Sequence, residues 1–223
     1  MATAAALLIV SPAAAVPQKK AATDWSRTVV ATPDGGFRMG NPKAKVRLIE
    51  YGSLTCPHCR HFAETGKGPL KAYVKSGKVS FEYRNYILNG IDIAATLVAR
   101  CGGPRRFFPI VDKLYATQTS WVGRITGLPA DEKQKIAELA DGPRMVRVAD
   151  VGGIKALAAS LGLPPAQADK CLADTAAMAR LEQMVEKGRS FGVEGTPTFF
   201  VNGVRVNAGD WPSLEPFIKK AGG

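Results

Sequence analysis

No stretch of this 223-residue chain stays apolar for long, aromatic residues amount to 8%, and there are only 4 cysteines and 2 histidines. The first shortage excludes a bilayer-spanning helix, which takes about 20 consecutive apolar residues. A compact block of one charge is also missing. The net charge of +11 is spread in ones and twos, as at Lys19-Lys20, Lys43 and Lys45, Arg105-Arg106 and Lys219-Lys220. No nucleic-acid motif accompanies them, so a phosphate-binding footprint is not indicated. What remains is a solvated basic surface that attracts acidic client chains or an anionic membrane surface at long range. No internal repeat is visible, and low complexity is confined to the Ala-rich start. The rest is ordinary globular usage, 46% hydrophobic and 22% charged. The length suits one sizeable domain or a compact domain with a large insertion.

Residues 1–15 run through Leu7-Leu8-Ile9-Val10 to Ala13-Ala14-Ala15. A short apolar core followed by small residues reads as a signal peptide, although the usual basic start is missing. A disordered Ala-rich tail is the other reading. Export places the chain in the periplasm or otherwise outside the cytosol, where paired cysteines form disulfides. Residues 16–27 are expected to be a flexible lead-in.

Two short apolar runs flank Pro33-Asp34-Gly35-Gly36, which predicts a small hairpin. A buried strand is expected over 45–51. A helix follows from Pro57 to about Val74, with Gly66-Lys67-Gly68-Pro69 expected to kink or interrupt it. The alternating segment 79–87 gives the next strand, completing the strand-helix-strand unit of a parallel sheet. Helical patterns are then expected over 93–101, 107–116, 130–140, 148–161 and 166–187. Strand pattern returns at 198–201, and Asn202-Gly203 before Val204-Arg205-Val206 signals a hairpin. A helix over 211–221 closes the chain. The fold class is therefore α/β, with one domain over 28–90 and 188–223 interrupted by a helical insertion over 91–187.

Cys56-Pro57-His58-Cys59 lies at the first strand-to-helix junction. Unpaired N–H groups and the helix dipole favour a thiolate at a helix start, so Cys56 reads as the nucleophile. Cys59, one turn deeper, is placed to resolve a mixed disulfide. Pro57 suits the first turn, and His58 offers a positive or hydrogen-bonding neighbour to the sulfur. Zinc is the competing use of Cys-x-x-Cys, but a second tight ligand pair is lacking. Haem attachment needs His after the second cysteine, where this chain has Arg60. A plain structural disulfide is the third use.

Glu50 ends an apolar strand, where a carboxylate is costly unless it pairs, neutralises or serves chemistry. Alone it is as well explained by solvent or by a partner such as Lys45. Beside the dithiol it reads as the group that accepts or relays the Cys59 proton. Thr196-Pro197 opens the late strand. A proline there tolerates cis geometry and leaves backbone free for an extended peptide, an ordinary trans turn being the alternative.

Glu50, the dithiol, the helical insertion and Gly195-Thr196-Pro197-Thr198-Phe199-Phe200-Val201-Asn202-Gly203 together resemble the DsbA-like family of thioredoxin-fold disulfide oxidoreductases. The resemblance spans about Thr28 to Phe217. It implies a thioredoxin fold, a cis Pro197 beside the dithiol, and a periplasmic enzyme that passes its disulfide to reduced or misoxidised exported proteins. It further implies a membrane-bound, quinone-linked partner that reoxidises it, with no cofactor or metal of its own. Thr196 also resembles disulfide isomerases and reductases, which keeps that direction open. Against the isomerase, the lead-in before Thr28 is short for the dimerisation domain that many isomerases carry, and a monomer is expected. A non-enzymatic zinc-binding or chaperone module is the reading from another class.

Cys101 and Cys171 both fall in the helical region. Oxidised export favours a bridge between them, worth at most about 4 kcal/mol in the chain-entropy model. Two separate buried thiols are the alternative.

Overall fold

The structure, a computed structural model, describes Met1 and residues 23–223. The expected signal peptide beyond Met1 and the lead-in over 16–22 lie outside the described residues. Trp25–Arg27, expected inside that lead-in, instead form a 3-10 turn capped by the Asp24 carboxylate.

Six strands make one mixed sheet in the order β1-β2-β4-β3-β5-β6. β1 (Val29–Ala31) and β2 (Phe37–Gly40) form the first hairpin, and β2 pairs antiparallel with β4 (Val79–Asn85). β3 (Val46–Gly52) runs parallel to β4, with α1 (Pro57–Lys75) as the crossover. β5 (Thr198–Val201) returns antiparallel against β3 and turns into β6 (Val204–Val206). Asn202 and Gly203, with φ of 51° and 86°, make that tight turn, a conformation that Asn and Gly tolerate.

β4 differs from the alternating strand its sequence suggests, because all seven of its residues are buried. It lies between β2 and β3 and is covered on both faces. Its polar residues are paired internally: Arg84 Nε donates to Glu82 Oε1 at 2.7 Å and Arg84 Nη1 to Tyr51 Oη at 3.0 Å.

α1 also departs from expectation, running unbroken through Gly66-Lys67-Gly68-Pro69. Cys59, Phe62, Gly66, Leu70 and Val74 form a buried stripe at helical spacing, and this packing outweighs the hydrogen bond lost at Pro69. Gly66 leaves room for Phe62, whose ring would stand 2.8 Å from an added Cβ. The ring in turn packs on Phe199 of β5, with centroids 4.6 Å apart.

The segment between β4 and β5 is all helix: α2 (Gly90–Cys101), α3 (Pro104–Ala116), α4 (Gln118–Thr126), α5 (Ala130–Ala137), α6 (Asp141–Val151), α7 (Ile154–Ser160), α8 (Pro165–Leu172) and α9 (Thr175–Ser190). The single helix expected over 148–161 is two, parted by Gly152-Gly153. That expected over 166–187 is also two, because Asp174 caps a new start. α4 was not anticipated. α10 (Trp211–Lys220) closes the chain, with Pro at N2 and an Asp210/Ser213 capping box.

One sheet face packs on α1 and α10 in a cluster that continues into the insertion through Phe107, Leu114, Trp121 and Leu172. Stacking of Phe37 on Phe107, centroids 4.0 Å apart, joins sheet to insertion. The opposite face carries a smaller cluster of Tyr51, Tyr86, Val185, Val193 and Phe200, with α9 supplying Val185. Among the described residues no helix is long and apolar enough to cross a membrane. The fold is an α/β thioredoxin fold with an inserted set of helices.

Candidate functional site

β3 ends at Gly52, the chain turns through Ser53, Leu54 and Thr55, and α1 starts with Cys56 as its N-cap. Cys59 N–H donates to Cys56 Sγ at 3.5 Å, and the Cys56 thiol donates to Thr196 O at 3.2 Å. The Thr196–Pro197 peptide is cis. The Thr196 hydroxyl is buried without a partner, and the Thr196 side chain favours the Cys56 thiolate. Pro57 stands at the first helical position, where no N–H is needed. His58 is exposed and helps the sulfur through its backbone N–H. No hydrogen bond joins its imidazole to Cys56 among the described residues.

Both cysteines are thiols in this structure. The Cys56 pKa falls to about 5 from 9.0, foremost through the hydrogen bond with the Cys59 thiol, with Thr196 and the Cys59 and His58 N–H groups adding to it. Cys59 is pushed well above 9.0 by burial, then by its bond to Cys56 and the nearby charges of Glu50 and Cys56.

Glu50 is buried, and its Oε1 has no hydrogen-bond partner. Lys45 does not pair with it, nor does any other cation among the described residues. Burial first, and the Cys56 charge second, raise its pKa from 4.5 to about 8, so the carboxyl is mostly neutral at pH 7. It borders a cavity of about 450 Å³ between α1, α3 and the sheet, alongside Phe62, Lys67, Tyr83, Asp112 and Tyr115. The site thus holds a thiol that ionises readily, a thiol that does not, and a buried carboxyl whose charge disfavours ionisation of the latter.

The family model Thioredoxin_4, described as thioredoxin, matches residues 32–220. The chain belongs to the thioredoxin superfamily. Within it the chain is a thiol-disulfide oxidoreductase whose fold is DsbA-like. A Novosphingobium aromaticivorans structure described as a protein-disulfide isomerase is 30% identical, covers 83% of this chain and 97% of its own, and superposes with a TM-score of 0.77. A Rickettsia prowazekii protein provisionally named a protein-disulfide oxidoreductase is 28% identical over 92% of this chain and 68% of its own length. The fold is shared with Wolbachia pipientis alpha-DsbA1, at 20% identity and a TM-score of 0.68, over 86% of this chain and 92% of that one.

The structure of this DsbA-like chain brings Cys56, Cys59, Glu50, Thr196 and Pro197 together and leaves Pro57 and His58 at the exposed start of α1. Cys101 and Cys171 are bridged, with S–S of 2.05 Å and Cα atoms 5.8 Å apart, joining α2 to α8. Among the described residues no group of three or more His, Cys, Asp or Glu is placed to hold a metal. Three further residues frame the dithiol without having been singled out in the sequence: Asp92, Tyr115 and Gln118. Asp92 offered one signal, an acid inside the apolar run Ile91-Asp92-Ile93-Ala94-Ala95. It is buried, which raises its pKa to about 6 against the pull of donors from Ser53, Leu88, Leu54 and Thr96. Gln118 and Tyr115 offered none.

Proposed function

We propose that the protein is an exported dithiol oxidase that hands a Cys56–Cys59 disulfide to reduced client chains in the periplasm or an equivalent oxidising compartment. The observation that carries this reading is the split between the two thiols, one near 5 and the other pushed above 9.0. A stabilised Cys56 thiolate is a good leaving group and favours the reduced enzyme, which makes the disulfide form a strong oxidant.

In the oxidised enzyme a client thiolate attacks Cys56 Sγ. The Cys56–Cys59 bond breaks, and the Cys59 sulfur leaves with the bonding pair and takes the proton of Glu50. A second client thiolate then attacks the client sulfur of the mixed disulfide, and Cys56 departs as thiolate. The client has lost two electrons and the enzyme has gained them. Glu50 recovers its proton from solvent. Thr196 and Pro197 offer backbone beside Cys56 against which an extended client segment lies. A membrane-bound partner takes the two electrons back through its own disulfide, and the chain acts as a monomer.

The named isomerase relative favours a second reading, in which the same dithiol is kept reduced and reshuffles wrong disulfides. Equilibration with glutathione separates the two. The oxidase gives a strongly oxidising potential, and its oxidised form restores disulfides to a reduced unfolded client, an activity abolished in Cys56→Ser. A thioredoxin-like potential, near the roughly −270 mV end of the scale, with rescue of scrambled clients would establish the isomerase or reductase instead.

A further inference from the structure

The turn Ser53–Cys56 has no ladder of its own, so its buried backbone groups need partners from elsewhere. They come largely from the helical insertion. Asp92 on α2 accepts from Ser53 Oγ at 2.6 Å and from Leu54 N–H at 3.0 Å, and from Leu88 N–H at 3.2 Å. Gln118, at the start of α4, uses its one side-chain nitrogen twice, donating to Leu54 O at 2.8 Å and to Cys56 O at 2.9 Å. Tyr115 on α3 donates to Ser53 O at 3.0 Å. Two further N–H groups close the turn on itself, Thr55 to Ser53 Oγ and Cys56 to Ser53 O, each at 3.2 Å.

Asp92 is fully buried and Gln118 is 5% exposed. Burying an acid with no cation beside it, or an amide, costs stability that an apolar side chain of similar volume avoids. Both bonds of the Gln118 amide and the two shortest to the Asp92 carboxylate go into fixing the four residues that end in the nucleophile.

We propose that Asp92 and Gln118 are positioning residues of the redox step: from the helical insertion they lock the Ser53–Cys56 turn, keeping Cys56 Sγ aimed at Cys59 N–H and Thr196. This rests on reading Cys56 as the nucleophile. Neither residue touches the reacting sulfur. Each acts by holding the backbone that carries it, so the sulfur's contacts with N–H groups depend on the insertion.

The test uses the full chain carrying Gln118→Met, which keeps length and removes both donors, and Asp92→Asn, which keeps shape and removes one acceptor. Thiolate absorbance of the reduced protein and equilibration with glutathione are read beside the helical circular-dichroism signal and the thermal midpoint. Expected is a Cys56 titration about one unit higher, tenfold in the thiol/thiolate ratio. The equilibrium shifts about tenfold, or about 30 mV, towards a weaker oxidant with the helical signal retained. Lower melting with unchanged titration and unchanged potential means a merely structural role and overturns the proposal. Amide exchange in the wild-type protein tests it without any variant: Leu54 N–H is expected to be as protected as the β3 core, and free exchange there overturns the lock. If wild-type Cys56 itself titrates near 9, the nucleophile assignment fails, whatever the variants do.

Discussion

Cys56 and Cys59 share one turn of one helix, yet their environments push the two thiols to opposite sides of the ordinary value. The difference is a matter of depth: the N-cap sulfur meets the Cys59 thiol, Thr196 and N–H groups of the helix start, whereas at the deeper one burial outweighs a hydrogen bond from the Ser53 backbone, and Cys56 and Glu50 push the same way as burial. Because the Cys56 pKa falls from 9.0 to about 5 on folding, it adds stability to the reduced protein that is complete above pH 9 and disappears as pH falls through about 5. Thermal unfolding of reduced wild type against Cys56→Ser is expected to show a wild-type advantage that grows from pH 5 to pH 9 and is absent below pH 5. Glu50 has the opposite sign. Its pKa rises from 4.5 to about 8, so the cost of ionising it in place is absent below pH 4.5 and complete above pH 8. Glu50→Gln is therefore expected to gain stability over wild type across that interval. The same variant is expected to release Cys59 about a hundredfold more slowly, measured by stopped-flow mixed-disulfide kinetics, since proton transfer typically contributes on that order.

At the scale of elements, α1 shows packing overruling local preference. Gly66→Ala gains up to about 1 kcal/mol of helix propensity. It also sets a Cβ 2.8 Å from a Phe62 ring held by Phe199. Overpacking of that kind costs about 1–3 kcal/mol, so the variant is expected to be less stable in urea unfolding despite the better helix former. The same competition decides which elements were legible in the sequence. β1, β2, β3, β5, β6 and α10 carry turn residues and apolar periods that speak for themselves. α4 does not, since only Gln118, Trp121 and Ile125 of its nine residues are buried. The breaks at Gly152-Gly153 and at Asp174 were obscured by helical pattern on both sides. At the site, the dithiol and Glu50 announce themselves by residue type and spacing. Tyr115 and Gln118 matter through hydrogen bonds to backbone, which leave no pattern in one sequence, and Asp92 showed only as an acid inside an apolar run.

On the scale of the molecule, the helices between β4 and β5 share a continuous core with the sheet and grip the turn in front of Cys56. Sheet and insertion form one cooperative object around the dithiol. The Cys101–Cys171 bridge spans 70 residues of that insertion. Replacing both cysteines by Ala is expected to lower stability by up to about 4 kcal/mol in denaturant unfolding, with the Cys56/Cys59 pair held in one redox state. Cys101 lies about 14 Å along α2 from Asp92 at the helical rise per residue, so the bond is remote from the reacting sulfur. It also makes a covalent ring of the chain from Cys101 to Cys171, and Tyr115 and Gln118 both lie on that ring. A protease that severs one peptide bond within it, as in the short connection between α4 and α5, opens the ring without dividing the molecule. The nicked protein is expected to migrate as one chain until a reductant is added and as two afterwards.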